Sequence, residues 1–270
     1  MKALDLFCSA GGASIGLHKA GFEVTGVDIK PQKNYPFEFH QADAIEYPLD
    51  GYDLIWASPP CQKFSAMTKR WKGRSDLHPD LIVPCRQRLK DSGSEYVIEN
   101  VIGAPLINPV MLCGTMFCLQ TKHGNQLRRH RIFETSFDIV LTPQCNHNNG
   151  SAIGVHGGGQ HPDRRKPATI GVYGNAGGSS LRDGILQFNT QDRRDAMGID
   201  WMTGKELSQA IPPAYSEFIG NHAIKFFKGK SSGLNQKTEE EAELYTVAPG
   251  QDMQCVIKDS WILGRTRLRT

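Results

Sequence analysis

Two short motifs hold the residues of this chain that could do covalent chemistry. Cys61 lies in the tetrad Pro-Pro-Cys-Gln at 59–62, directly after the apolar run 54–57. The two prolines fix φ and remove backbone donors, so the chain must turn here instead of continuing as a central strand. A thiol held on such a stiff turn can act as a nucleophile. Glu99 follows the next apolar run, 96–98, and supplies a carboxyl group that could act beside the thiol.

Basic side chains are concentrated around these motifs, although the net charge of the chain is only +3. Five basic residues and no acidic one lie between residues 62 and 75, and further basic clusters lie at 122–131 and 161–166. Lys and Arg side chains neutralise phosphates and release their counterions. The three clusters therefore favour a polyanionic substrate.

Short apolar runs alternate with helix-like segments over the first 140 residues, which predicts an α/β fold with a doubly wound, mostly parallel sheet. Ligands of such sheets bind at the carboxyl ends of the strands. The predicted strands are Ala3–Phe7, Val24–Val27, Phe37–His40, Leu54–Ala57, Tyr96–Ile98, Arg131–Phe133 and Ile139–Leu141, and the predicted helices are Ser14–Ala20 with Ser14 as its cap, Leu81–Leu89 and Ala214–Phe227.

Composition divides the chain into three parts. Residues 142–190 are rich in Gly, Asn, Ser and Pro with little helical periodicity, so we expect a small glycine-rich recognition lobe there. Residues 1–141 and 191–228 are expected to form one catalytic domain, which contains both motifs. Residues 229–270 are a C-terminal extension for which we predict no function.

A separate group of residues could bind a cofactor that contains a nucleoside. The glycine turn that ends at 11–12 precedes a predicted helix, so backbone can approach a ligand there and the helix N-terminus faces its negative group. Asp28 ends the second predicted strand, where its carboxylate could accept hydrogen bonds from two ribose hydroxyls. Asp43 follows the third strand and could accept from an adenine amino group. The glycine spacing is not G-x-G-x-x-G, which disfavours a dinucleotide oxidoreductase.

The chain resembles the DNA cytosine-5 methyltransferase family over roughly residues 1–228, including its short phage and prophage members. The resemblance rests on five segments in the family's order: Asp-Leu-Phe-Cys-Ser-Ala-Gly-Gly at 5–12, Ser-Pro-Pro-Cys-Gln at 58–62, Glu-Asn-Val at 99–101, Arg-His-Arg-Ile-Phe at 129–133 and Gly-Asn at 220–221. It implies a Rossmann-like methyltransferase fold and S-adenosyl-L-methionine as the methyl donor. The implied acceptor is a cytosine flipped out of double-stranded DNA.

The resemblance also implies a role for each site residue. Cys61 would add to carbon 6 of cytosine, which turns carbon 5 into an enamine carbon, and nearby basic residues are expected to lower the pKa of its thiol. Glu99 would bind the amino edge and place a proton on ring nitrogen 3, a role that a pKa raised by burial favours. Arg129 and Arg131 would orient the base. The implied cofactor contacts are Phe7, Ser9, Ala10, Gly11, Gly12, Asp28, Ile29, Asp43, Pro59 and Asn221.

Two features depart from the family or stand outside it. Leu127 lies where the family has Gln, two positions before the first Arg of Arg-x-Arg. Either a local shift of the adjacent Gln126 compensates or one contact to the base is missing. The pair Cys145 and His147, with His156 and His161, has the residue types of a zinc site. Its spacing matches no common zinc finger, so we expect no metal. The remaining cysteines of the catalytic domain are expected to be small core residues: Cys8, Cys85, Cys113 and Cys118.

Three functions stay open on the sequence. A DNA cytosine-5 methyltransferase leads, and a tRNA cytosine-5 methyltransferase of the same fold is second, because a related branch shares the same motifs. A DNA-binding protein without turnover is third, and the intact Cys61 and Glu99 argue against it. The chain lacks an apolar run near the ~20 residues that span a bilayer, so we expect no membrane partner. Its seven cysteines are an odd number in a chain too large to need disulfides, which favours a reducing, cytoplasmic location. We expect the protein to be a monomer that belongs to a restriction-modification system and has a cognate restriction endonuclease as its partner.

Overall fold

The computed structural model describes residues 1–65, 68, 75–122, 124–140, 142–147, 152–153 and 189–232. Most of the basic segment after Cys61, most of the predicted lobe and the extension beyond residue 232 lie outside these described residues. Within the described ranges, no helix combines the length and the apolar character needed to cross a membrane.

A seven-stranded sheet forms the centre of the described structure. Its strands are β1 (Lys2–Leu6), β2 (Glu23–Asp28), β3 (Glu38–Gln41), β4 (Leu54–Ala57), β5 (Glu95–Asn100), β6 (Val110–Leu112) and β8 (Arg131–Thr135), and a separate pair is formed by β7 (Gln126–Leu127) and β9 (Ala152–Ile153). The order across the large sheet is β3-β2-β1-β4-β5-β8-β6. The first five strands are parallel, whereas β8 runs antiparallel to both of its neighbours.

Helices cover both faces of this sheet. They are α1 (Gly12–Ala20), α2 (Ile82–Asp91), α3 (Thr190–Met197), α4 (Gly204–Gln209) and α5 (Pro213–Ser232), with short 3-10 helices at Ser75–Leu77 and Gly114–Phe117. Strand β4 is buried on both faces of the sheet: Trp56 packs in the core under α1 and α5, and Ile55 packs in the core under α2. A central strand buried on both faces is typical of a doubly wound sheet.

The close packing of α1 on α5 depends on Gly16. A Cβ at this position would overlap the carbonyl oxygen of Pro213 and the hydroxyl of Ser216, so only glycine lets the two helix backbones approach this closely. This contact ties the C-terminal helix to the helix that follows β1. The predicted cofactor turn is therefore supported by residues that lie two hundred positions later in the chain.

The predicted fold class is confirmed, with three local differences. Ser14 does not cap α1, because the helix already begins at Gly12 and the Ser14 hydroxyl donates to Asp5 instead. The predicted strand 139–141 is wrong for its two described residues, because β8 ends at Thr135 and Val140 is 68% exposed with no neighbouring strand. Helix α5 runs past the predicted end of the catalytic domain at residue 228 and ends at Ser232.

Candidate active site

The predicted catalytic and cofactor turns lie side by side where the strand order reverses. The order β2-β1-β4-β5 places a crevice between the carboxyl ends of β1 and β4, the usual ligand position in such sheets. The turn 7–12 leaves β1 at this crevice, and the turn 58–61 leaves β4 beside it. Asp28 ends the flanking strand β2, and Glu99 lies near the end of the flanking strand β5.

Hydrogen bonds fix the turn that presents Cys61. The Ser58 amide donates to the carbonyl of Leu6 at 3.1 Å, which extends the β1–β4 pairing by one residue. The fully buried Asn100 donates through Nδ2 to the carbonyl of Pro59 at 2.9 Å. Sequence reasoning gave Asn100 no role, although an amide directly after a buried strand was the available signal. Asn100 thus holds the Pro-Pro-Cys turn against β5.

Glu99 and Arg131 form a buried ion pair beside this turn. The antiparallel register aligns Glu99 with Phe133, so Arg131 is the diagonal neighbour on the same face of the sheet. Its Nε lies 2.9 Å from Glu99 Oε1, and both residues are about 5% exposed. Burial raises the pKa of Glu99, while Arg131, Arg129 and the Ser58 hydroxyl oppose that rise. The expected direction for this carboxyl group is confirmed.

The Cys61 thiol is half-buried within reach of these charges. Burial raises its pKa, the negative charge of Glu99 adds to the rise, and Arg131 and Arg129 oppose it without cancelling it. Basic neighbours lower this pKa, as predicted, but among the described residues the net shift of the pKa is upward. Desolvation and one carboxylate outweigh two guanidinium groups, so the thiol keeps its proton more firmly than an exposed cysteine does.

Arg129 connects the site to the C-terminal part of the domain. The residue is fully buried, and its Nη2 donates to the carbonyls of Ser208 at 3.1 Å and Ala210 at 2.8 Å. The Tyr215 hydroxyl donates to the Arg129 carbonyl at 2.6 Å. These contacts fix the start of β8 against the α4–α5 connection. Orientation of the base by Arg129 stays a prediction.

Asp28 holds the turn after β1 in place. Its Oδ2 accepts from the Ser9 amide and its Oδ1 accepts from the Lys30 amide, each at 3.0 Å. Phe7 and Ser9 have φ of 60° and 46°, in the left-handed region that non-glycine residues rarely adopt. Strained backbone of this kind is concentrated at ligand sites. Each Asp28 oxygen keeps a lone pair that could accept from a ribose hydroxyl.

The surroundings of Asp28 suit a nucleoside. Ile29 is 63% exposed at the end of β2, and Phe7 is half-buried against the neighbouring core. Asp43 is exposed, and its Oδ1 accepts from the Ile45 amide at 2.8 Å, so it caps a turn while its other oxygen faces no described donor. Apolar side chains next to carboxylates match a ligand with a flat base and a polar sugar. The residues present therefore fit S-adenosyl-L-methionine.

Other predicted cofactor residues are packed into the protein. Ala10 is 1% exposed and its carbonyl accepts from Trp201 Nε1 at 3.1 Å. A Cβ on Gly12 would lie 2.5 Å from the Ile211 carbonyl oxygen, so helix packing already requires glycine there. Asn221 donates to the Glu217 carbonyl at 2.7 Å within α5. Cofactor contacts by these residues, and by the buried Gly11 and Pro59, stay predictions.

Leu127 is a core residue. It is fully buried in an apolar cluster with Ala10, Met197 and Leu207. Gln126 precedes it in β7, and successive residues of a strand point to opposite faces. Compensation by Gln126 for the family's Gln stays a prediction.

Asp5 is a buried titratable group that sequence reasoning did not single out. It is 1% exposed on β1, and its carboxyl accepts from Ser14, whose hydroxyl lies 2.8 Å from the Tyr35 hydroxyl. Burial raises the pKa of Asp5 to about 7, and the charge of Asp28 adds to the rise. The only sequence signal was an acidic residue inside an apolar run.

Comparisons with known proteins identify the family. The family model of the C-5 cytosine-specific DNA methylases matches residues 1–105. Type II methyltransferase M.HgiGI of Herpetosiphon aurantiacus is 35% identical over 98 residues, covering 30% of this chain and 78% of that protein. Type II methyltransferase M.HindV of Haemophilus influenzae is 34% identical over 119 residues, covering 37% of this chain and 38% of that protein. The chain thus spans most of one relative and well under half of the other.

A solved structure supports the fold. A DNA modification methyltransferase encoded within a prophage (E. coli) matches with a TM-score of 0.54 at 14% identity, covering 84% of this chain and 99% of that one. At this identity the match shows the architecture alone. The family model and M.HgiGI carry the assignment: the chain belongs to the C-5 cytosine-specific DNA methylases, whose cofactor is S-adenosyl-L-methionine.

Proposed function

We propose that this protein transfers a methyl group from S-adenosyl-L-methionine to carbon 5 of a cytosine flipped out of double-stranded DNA, through a covalent bond to Cys61. The observation that supports this most is the convergence of a half-buried thiol and a buried Glu99–Arg131 pair beside the cofactor crevice. Three chemically distinct groups from β4, β5 and β8 meet at one point of the sheet. When bound, the cofactor supplies a methyl group on a sulfonium that a carbon nucleophile can displace.

Cys61 makes the ring reactive. Its sulfur forms a bond to carbon 6, and the electron pair of the 5,6 double bond moves so that carbon 5 becomes nucleophilic. After carbon 5 has been alkylated, solvent water takes its proton, the sulfur leaves with the electrons of the sulfur–carbon bond, and the double bond returns. Because the pKa of the thiol is raised, its proton must pass to a base, here solvent water, before the sulfur–carbon bond forms.

Glu99 and Arg131 recognise and polarise the base. A protonated or proton-sharing Glu99 can donate to ring nitrogen 3 and accept from the amino group, which withdraws electrons from carbon 6. The ion pair with Arg131 orients the carboxyl group at 2.9 Å. Burial and the guanidinium act in opposite directions on the Glu99 pKa, which suits a group that must share a proton.

Duplex DNA is the proposed acceptor because basic residues flank Cys61 in the sequence and because the matched relatives are named as type II methyltransferases. We propose that residues 142–190 select the target sequence, that the protein acts as a cytoplasmic monomer, and that a cognate restriction endonuclease cuts the same unmodified sequence. Residues 229–270 receive no role in this proposal.

Methyl transfer to defined nucleic acids tests the substrate. The purified protein is incubated with radiolabelled S-adenosyl-L-methionine and, in parallel, with unmethylated plasmid DNA and with total tRNA. We expect label in DNA alone, and bisulfite sequencing should place every methyl group on cytosine within one short sequence. Label in tRNA alone would replace DNA with the second candidate, and label in neither would contradict enzymatic turnover.

A further inference from the structure

We propose that Cys113, His130, Cys145 and His147 bind one zinc ion that fixes the segment holding Arg129 and Arg131. The four ligand atoms, two sulfurs and two imidazole nitrogens, all lie within 4.8 Å of one another. A Cys₂His₂ set is a common ligand set of structural zinc sites. This proposal replaces the expectation of no metal and is independent of the proposed function.

The distances within the cluster suit a central ion. Nε2 of His147 lies 3.4 Å from Cys113 Sγ and 2.9 Å from Cys145 Sγ, and Nε2 of His130 lies 3.2 Å from Cys145 Sγ. In a tetrahedral site with Zn–S near 2.3 Å and Zn–N near 2.0 Å, neighbouring ligand atoms are separated by about 3.3–3.8 Å. The ligand atoms all lie within 4.8 Å of one another, so side-chain shifts of about 1 Å, outward for the short contacts and inward for the widest pair, would reach that geometry.

A hydrogen-bonded network explains the same contacts less well. An imidazole Nε2 carries either one proton or one lone pair, so it can make one good hydrogen bond. His147 Nε2 nevertheless faces two sulfurs at hydrogen-bonding distance. Atoms that converge on a shared point in this way are arranged as ligands of one ion. Two thiolates would also neutralise a divalent cation, which lowers the cost of burying it.

Neighbouring side chains support the ligands. The buried Thr115 hydroxyl lies 3.4 Å from Cys113 Sγ and 3.7 Å from Cys145 Sγ, so it can donate to either thiolate. Arg128 Nη2 donates to the His147 carbonyl at 2.6 Å, which holds the loop against β7. Such second contacts orient metal ligands and tune their affinity.

Through His130, the ion would position the Arg-x-Arg segment. His130 lies between Arg129 and Arg131, and its carbonyl accepts from Arg131 Nη1 at 3.0 Å. Cys113 follows β6, and Cys145 and His147 lie at the start of the segment assigned to recognition. One ion would therefore join the edge strand, the Arg-x-Arg segment and residues 142–147. Its role toward the reaction is positioning.

Sequence spacing had pointed to a different set. The ligands are separated by 16, 14 and 1 residues, a pattern of no common finger, and Cys113 was expected to be core. Cys113 is indeed buried, yet its sulfur faces His147. His156 and His161, the other ligands considered from sequence, lie outside the described residues.

Metal content of the full chain tests the site directly. We expect one zinc per chain by mass spectrometry after dialysis against metal-free buffer, and loss of it in His147→Ala. His147→Cys should retain one ion, and its cobalt form should gain thiolate-to-metal charge-transfer intensity, which separates lost ligation from misfolding. Cys118→Ala and the double variant His156→Ala/His161→Ala should keep a full equivalent.

Several results would overturn the site. These are a metal-free protein that binds no zinc on titration, zinc retained in His147→Ala, zinc lost in the His156→Ala/His161→Ala control, or a disulfide between Cys113 and Cys145 in the protein purified without reductant. Each readout is independent of methyl transfer, so failure here leaves the proposed function untouched.

Discussion

The parallel and antiparallel parts of the sheet hold the site by different means. On the parallel side, Asp28 and Asn100 fix the two functional turns through hydrogen bonds to backbone groups. On the antiparallel side, β6 and β8 pair within the sheet, and the loops that flank them meet through thiol and imidazole side chains. Backbone hydrogen bonds preorganise the turns once the sheet forms, whereas side chains from distant segments need a cross-link.

The largest contrast is between two cysteines. Cys61→Ala should abolish methyl transfer, a loss of about 10⁴-fold or more, because the variant lacks the proposed nucleophile. Cys145→Ala should lower the rate by about 10- to 100-fold, because it disturbs only the positioning of Arg131. Rates with labelled cofactor and plasmid DNA measure both, with Cys118→Ala as the control that keeps the wild-type rate. Equal losses in Cys61→Ala and Cys145→Ala would remove the distinction between the two regions.

Cofactor affinity should depend on the parallel side alone. Asp28→Ala should weaken S-adenosyl-L-methionine binding by about 10- to 100-fold, because the variant loses the ribose acceptor and releases the Ser9 amide. Calorimetry measures the change.

Two control variants sharpen that measurement. Asp53→Ala removes a carboxylate that also accepts from a backbone amide, that of Lys2, but at the amino ends of β1 and β4, opposite the cofactor crevice. The affinity of this variant for S-adenosyl-L-methionine should therefore match wild type. His147→Ala should leave cofactor affinity unchanged within about twofold. Unchanged affinity in Asp28→Ala would refute the ribose role.

A smaller effect concerns pH and the buried Asp5. Its pKa of about 7 in the folded protein lies above the ordinary value of an aspartate, 3.8, so between these pH values the folded state keeps a proton that the unfolded chain loses. Stability therefore falls as pH rises from about 4 to 7, by up to about 4 kcal/mol from this group. Asp5→Asn, which can still accept from Ser14, should flatten that dependence. Urea unfolding across this range measures it, and parallel curves for variant and wild type would contradict the buried proton.

The sequence was most informative where function and local structure share a few consecutive residues. The turns at 7–12 and 58–62 follow strands directly, so apolar runs and turn residues located them to within one or two positions. The fold class followed from the same alternation. Glu99 could be paired with Cys61 because parallel strands bring their carboxyl ends to one edge.

The remainder depended on contacts that no local pattern encodes. The pKa of Cys61 depends on burial beside Glu99. The lack of a strand at 139–140 depends on β8 ending at Thr135. The cluster of Cys113, His130, Cys145 and His147 draws on segments that are brought together by the reversal of chain direction at β8. Leu127 looked like a missing contact, but its burial makes it part of the core.

The most direct test of the central claim is covalent capture at Cys61. Duplex DNA made with 5-fluorocytosine in place of every cytosine needs no knowledge of the target sequence, and its fluorine cannot leave as the proton does. With S-adenosyl-L-methionine present, we predict a denaturation-resistant protein–DNA adduct, mapped by mass spectrometry to the peptide that contains Cys61 and absent in Cys61→Ala. An adduct that persists in Cys61→Ala, or an active enzyme that forms none, would contradict the account.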